Sequence, residues 1–244
     1  MRREKKSIAR VKRPTTFDMS SQKSSLVMMK IDNPEKKTHT PARENDLLPE
    51  FPARIAICGR PGSGKGCQCM NLLAREDPPF DTYTVCHWEK NPLEWDSVLE
   101  DQEEYRVLGW REEGFPDIDS FDPNKKNALI LDELPYDTMS VAQKSHLERI
   151  FNFAASHKSV TCFILVQDLF SIPISVRRSL DFIAIASSPI KSTEGLFSRM
   201  LKIDVGALFK KFCKTKWDFL VFDFTGGPTV RLNWYQPIEG VPIK

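Results

Sequence analysis

The chain has 244 residues, of which 41% are hydrophobic and 28% charged, proportions that exclude a wholly disordered polymer and a membrane protein. The longest apolar runs, such as Cys162–Val166 and Phe182–Ala186, fall far short of the ~20 residues a bilayer span needs, and no apolar stretch follows the basic start, so no secretory signal is expected. The net charge of +2 conceals an asymmetry: residues 1–44 hold twelve Lys/Arg against five Asp/Glu, a net +7 that leaves −5 for the other 200 residues.

That N-terminal stretch is rich in Ser, Thr and Lys and gathers apolar residues only at Leu26–Ile31. It cannot bury enough apolar surface to offset its ordering entropy, so residues 1–50 are expected to form a basic arm ahead of a compact domain over 51–244. Its clusters Arg2-Arg3-Glu4-Lys5-Lys6 and Lys12-Arg13-Pro14 suit either a nuclear import signal or a nucleic-acid-binding arm.

Past Pro52 the pattern becomes that of a folded domain. Arg54–Cys58 is a β-rich run ending at Gly59, and a helix is expected from Lys65 to Arg75. Thr82–Trp88 follows as a strand, Pro92–Gln102 as a helix, Tyr105–Trp110 as a short strand and Gly114–Lys126 as a loop. Ala128–Leu131 is apolar and ends in Asp132-Glu133, a helix is expected over Ser140–Ser156, and Thr161–Gln167 and Asp181–Ser187 are further strands. Phe219–Thr225 and Thr229–Tyr235, around Gly226-Gly227-Pro228, predict a β-hairpin. Continuous apolar strands separated by helices predict an α/β fold, a mostly parallel sheet covered on both faces. The six cysteines form no CxxC pair and mostly sit in apolar runs, which suits buried thiols better than a disulfide or zinc framework.

Gly59-Arg60-Pro61-Gly62-Ser63-Gly64-Lys65-Gly66 stands between a strand and a helix that opens with Lys65, Gly66 and Cys67. Glycines let successive backbone amides turn inward around phosphate oxygens, and the helix N-terminus adds its dipole. Lys65 would reach the β- and γ-phosphates, so residues 59–67 are expected to bind a nucleotide. Gly66 departs from the motif, because a Ser or Thr hydroxyl there would ordinarily ligate Mg²⁺.

Asp132 and Glu133 close a buried strand at the edge where such sheets bind ligands. Asp132 is expected to orient the Mg²⁺ shell and Glu133 to polarise the attacking water as general base. Gln167 ends another buried strand, where an amide could contact the γ-phosphate or water. Arg177 and Arg178 precede the last core strand and could serve across a subunit boundary. His157 reads as a boundary residue, and Trp88, Trp95 and Trp110 as packing.

Gly59–Gly66, Leu129–Glu133, Phe151–Phe170 and Val176–Ser188 together resemble the FtsK–HerA superfamily, and within it the genome-packaging ATPases of poxvirus, large-DNA-virus and Polinton or adintovirus type. The resemblance covers residues 52–200. It implies a P-loop NTPase of the ASCE type, an ATP hydrolase using ATP and Mg²⁺. Its subunits would form a homo-oligomeric ring, often a hexamer, that drives double-stranded DNA into a capsid beside the capsid vertex proteins. It also implies Lys65, Asp132, Glu133, Gln167 and Arg178 as catalytic residues, with Arg178 acting in trans. Because the body is net acidic, DNA contacts are expected to be local, at Lys125-Lys126, Lys191, Lys210-Lys211 or the arm. The host nucleus or the virion, otherwise the host cytoplasm, is the expected location. A second resemblance is local: Gly59–Met70 is similar to the phosphate loop of adenylate kinases, and Gly114-Phe115-Pro116 to another segment of theirs. A third class, a nucleotide-gated scaffold with little hydrolysis, follows from the missing hydroxyl at Gly66.

Overall fold

The computed structural model describes residues 51–76, 78–89, 95–96, 99–187, 189, 191–225 and 229–241. The expected basic arm, the bend Gly226-Gly227-Pro228 and part of the helix expected over Pro92–Gln102 lie outside the described residues. Nine strands form one sheet: β1 (Arg54–Cys58), β2 (Thr82–His87), β3 (Tyr105–Gly109), β4 (Asn127–Asp132), β5 (Val160–Val166), β6 (Phe182–Ala186), β7 (Phe219–Asp223), β8 (Thr229–Leu232) and β9 (Gln236–Pro237). Their order is β3-β2-β4-β5-β1-β6-β7-β8-β9. The first six pair in parallel, and β7, β8 and β9 add an antiparallel edge. The mostly parallel α/β architecture and the C-terminal hairpin are therefore as expected.

Burial on both faces explains the continuous apolar strands. All seven residues of β5 are buried, and successive side chains alternate between two cores. Cys162, Ile164 and Val166 join one core with Leu147, Ile150, Phe151 and Ala154. Phe163 and Leu165 join the other, with Cys69, Leu72, Leu73, Trp95 and Leu99.

Helix α1 (Lys65–Ala74) supplies Cys69, Leu72 and Leu73 as its apolar stripe. A short helix, α2 (Trp110–Glu113), follows β3. Helix α3 (Val141–Arg149) starts at a capping box, in which the Ser140 hydroxyl accepts from the Gln143 amide and the Gln143 side chain accepts from the Ser140 amide. It runs on through a π-helical turn, Ile150–Ala154, into Ala155–His157, so the helix expected over Ser140–Ser156 is present with one irregular turn. Besides α2, three helices go beyond the sequence reading: α4 (Ile174–Arg178), α5 (Lys191–Leu201) and α6 (Val205–Phe212).

β5 inserts between β1 and β4, although it follows both in the chain. From β1 the chain leaves toward β2 on one side, and from β5 toward β6 on the other. Adjacent strands whose connections diverge open a crevice at their C-terminal ends, where ligands bind in such sheets.

Candidate active site

The glycine-rich loop leaves β1 in that crevice. The Gly59 amide donates to Val166 O at 3.0 Å, which fastens the loop's root to β5. Gly59 must lack a side chain, because a Cβ would meet Ser63 and lie 2.7 Å from the Ala186 Cβ. Gly62 and Gly64 have φ of +69° and +90°, left-handed conformations that glycine alone adopts cheaply. The Ser63 amide turns back to Arg60 O at 3.1 Å, and the Gln68 amide closes the first turn of α1 on Gly64 O at 2.9 Å. The first-turn amides of Lys65, Gly66 and Cys67 have no acceptor within the helix, and the Ser63 hydroxyl is buried without a partner among the described residues. The first-turn amides stand at the position where the sequence places a phosphate.

Lys65 is only 6% exposed. Its Nζ lies 2.8 Å from Glu133 Oε1 and 3.4 Å from the carbonyl of Arg60. The other Glu133 oxygen accepts from Gln167 Nε2 at 3.3 Å. Thus the ends of β1, β5 and β4 deliver a lysine, an amide and a carboxylate to one cluster. Glu133 takes a φ of +49°, unusual for a residue with a side chain, while its amide continues the ladder to Leu165 O at 3.1 Å. The bend turns its carboxylate toward the loop.

Asp132 stands beside the cluster in a different environment. Its Oδ2 accepts from Trp95 Nε1 at 2.7 Å, and Trp95 is 1% exposed. Burial pushes the Asp132 carboxyl above the usual carboxylate range, and the Trp95 hydrogen bond and the nearby His87 offset only part of that. Trp95 packs in the core as the sequence suggests, and its indole in addition tethers Asp132. Trp88 and Trp110 stack on each other at 5.6 Å and His157 stacks on Phe153 at 4.6 Å, which are packing roles.

The geometry does not bring Arg178 to the loop of its own chain. It is exposed on the last turn of α4, four residues before β6 begins at Phe182, and Phe182 pairs with Ile55 near the start of β1. That is the edge opposite the phosphate loop. Arg177 instead packs over Phe170, 5.2 Å from the ring centroid.

Two expected DNA contacts are also engaged elsewhere. Lys126 pairs with Glu76 at 2.9 Å and sits between the rings of Phe51 and Phe80, and Lys125 pairs with Glu104. Among the described residues, no three His, Cys, Asp or Glu side chains gather as a metal-holding group. No helix among them is long and apolar enough to cross a membrane.

No protein-family model and no curated protein matches the sequence. Solved structures do match in fold. The genome-packaging NTPase B204 of Sulfolobus turreted icosahedral virus 2, in complex with AMPPCP, aligns at a TM-score of 0.51 and 15% identity, over 74% of this chain and 96% of that one. The same protein with sulfate aligns at 0.53 and 14%, over 74% and 95%. B204 of Sulfolobus turreted icosahedral virus, described as its DNA-packaging ATPase, aligns at 0.52 and 15%, over 75% and 97%. At such identity the likeness concerns architecture alone: this chain has the P-loop fold, a mostly parallel sheet similar along nearly the whole length of B204 to that of the packaging ATPase.

Proposed function

We propose that the chain is an ATP-hydrolysing motor subunit of the FtsK–HerA kind that drives double-stranded DNA into a viral capsid. The observation that carries this reading is the cluster of Lys65, Glu133 and Gln167, assembled from three strand ends beside the glycine loop. The B204 likeness supports the packaging role.

Lys65 is paired with Glu133. An incoming triphosphate offers Lys65 better partners, and the loop amides and the Ser63 hydroxyl take up its oxygens. Glu133, 40% exposed at its side chain, is then free to accept a proton from water as that water attacks the γ-phosphorus. Gln167 stands between β1 and β4 and orients the water or the γ-phosphate.

Mg²⁺ fits this site in the manner of a nucleotide-borne ion, which keeps its waters and needs only one or two carboxylates beside the phosphates. The second oxygen of Asp132 is suited to hold its water shell, and Gly66 contributes no hydroxyl. When bound, the ion neutralises charge on the β- and γ-oxygens.

The adenylate-kinase resemblance finds less support. Phe115 stacks on His146 at 6.1 Å and the Pro116 carbonyl lies 3.0 Å from His146 Nε2, so that segment is occupied in packing. A kinase would also leave the Glu133–Gln167 pair without a task.

Replacing Glu133 by Gln tests the proposal. Loss of a general base costs about 10²–10⁴-fold in rate, while Lys65, relieved of its counter-charge, should bind ATP at least as well as before. The expected result is ATP turnover reduced at least a hundredfold with ATP binding kept, and wild-type turnover that responds to duplex DNA. Unchanged turnover in Glu133→Gln would sink the mechanism, and AMP-dependent ADP formation by the wild type would favour the kinase.

A further inference from the structure

The site has a direction. Glu133 and Gln167 approach Lys65 from the β4–β5 side, so the end of a triphosphate that is cleaved points that way. The nucleoside must then leave on the β6–β7 side. With strands about 4.8 Å apart, β4 and β7 stand on opposite sides of β1 at about 10 Å each.

On that second side stands Trp217, two residues before β7. Its ring lies against the phosphate loop: a Cβ on Gly64 would be 3.2 Å from Trp217 Cε3. Yet the residue is 51% exposed, so the ring touches the loop and still presents part of its surface to solvent.

The turn that carries it is fixed in place. The Asp218 carboxylate accepts from the amides of Lys214 and Thr215, both at 2.7 Å, and from Asn233 Nδ2 at 2.9 Å. The Trp217 amide donates to Thr215 Oγ1 at 3.2 Å, and the Asp218 carbonyl accepts from the Ser187 amide at 2.8 Å. The indole is therefore presented ready-made, at little ordering cost on binding.

The surroundings are cationic. Lys216 Nζ lies 4.1 Å from the Trp217 ring centroid. Lys214 and Lys216 of the same turn line a neighbouring cavity of about 550 Å³ with Arg60, Lys191, Lys210 and one acid, Glu194. An exposed indole on a rigid mount beside a phosphate loop suits a neutral base, and the cations near it suit the phosphates.

We infer that Trp217 is the nucleobase platform of this site: the base of the bound nucleoside triphosphate stacks on the exposed indole, displacing the Lys216 ammonium that lies over the ring. The inference rests on the nucleotide-binding reading above. Because every base has a π face, stacking tolerates base identity, so ATP, GTP and CTP should bind within about tenfold of one another.

The test compares ATP with inorganic tripolyphosphate, which fills the loop but has no base. Dissociation constants of both are measured for the full chain as wild type, Trp217→Ala and Trp217→Phe. Stacking on an aromatic ring accounts for about tenfold or more per base. Trp217→Ala should therefore weaken ATP about tenfold and leave tripolyphosphate unchanged. Trp217→Phe should keep most of the ATP affinity and lose the quenching of tryptophan fluorescence that ATP, unlike tripolyphosphate, produces in the wild type.

Equal loss of both ligands in Trp217→Ala, or no loss of either, would overturn the platform while leaving the phosphate loop standing. Should Trp217→Ala fail to fold, a Trp217→Phe variant that keeps the full ATP quench would overturn it in the same way. A wild type that binds neither ligand would overturn the nucleotide reading itself, and this inference with it.

Discussion

At the scale of single residues, Asp132 and Glu133 show how neighbouring carboxyls acquire different properties. Glu133 is half open to solvent and held by a cation and an amide. Asp132 lies deeper, tied to an indole, with burial raising its pKa above the ordinary value. A carboxyl whose folded pKa is raised favours folding below its unfolded pKa, and that contribution is lost as pH rises through the folded value. At neutral pH Asp132 is therefore a stability cost retained for another reason. Replacing it by Asn keeps an acceptor for Trp95 and removes the buried charge. Thermal unfolding should show Asp132→Asn melting a few degrees above wild type at pH 7, the two converging as the solution is acidified, while ATP turnover falls. A variant that melts lower at neutral pH would contradict this account of Asp132. The acid pair itself is legible in the sequence because it ends an apolar strand. Its tether is not, since Trp95 lies 37 residues away and only the packing of β4 against the segment after β2 brings them together.

At the scale of elements, strands were easier to foresee than helices, for a physical reason. β1, β4, β5 and β6 are buried on both faces, so each is written as an unbroken apolar run. α5 buries only Thr193, Phe197 and Leu201, a narrow stripe with one polar member, and the Thr193 hydroxyl is spent on Asp168 at 3.2 Å. Such a helix is specified by what it packs on. The turn between α6 and β7 is similar: nothing local announces that Asp218 gathers two amides and Asn233. Burial acts to raise the Asp218 pKa, but the hydrogen bonds from Asn233 and from the Thr215 and Lys214 amides outweigh it and leave the carboxyl below its ordinary value. A depressed folded pKa stabilises above the unfolded pKa, and that contribution is lost as pH falls through the folded one. The turn should stay ordered down to about pH 4 and loosen below it. Tryptophan emission, taken as the difference between wild type and Trp217→Phe, should shift in that acid range. In Asp218→Asn the shift should be absent, with weaker ATP binding already at pH 7. A wild-type emission difference that is flat down to pH 2 would dissociate the turn from Asp218.

At the scale of the whole molecule, the sheet order decides what one chain can do alone. Inserting β5 between β1 and β4 brings Gln167 and Glu133 to Lys65, and the site needs no second chain for these. Arg178 is different, because its own chain holds it at the opposite edge of the sheet. If a neighbouring subunit's Arg178 completes the site, the contact is head-to-tail, the kind of interface that closes into rings. Complementation then follows from geometry. A Lys65→Ala chain has a dead phosphate loop but an intact Arg178, and an Arg178→Ala chain has the reverse. Each alone should be nearly inactive, since an arginine acting in trans accounts for about 10³-fold or more. Mixed subunits place an intact loop beside an intact arginine at some interfaces, so the mixture should regain turnover that neither parent shows. That recovery should fade on dilution, as subunits part. Wild-type turnover in Arg178→Ala by itself would remove this residue from the mechanism and leave the cluster of Lys65, Glu133 and Gln167 to act without it.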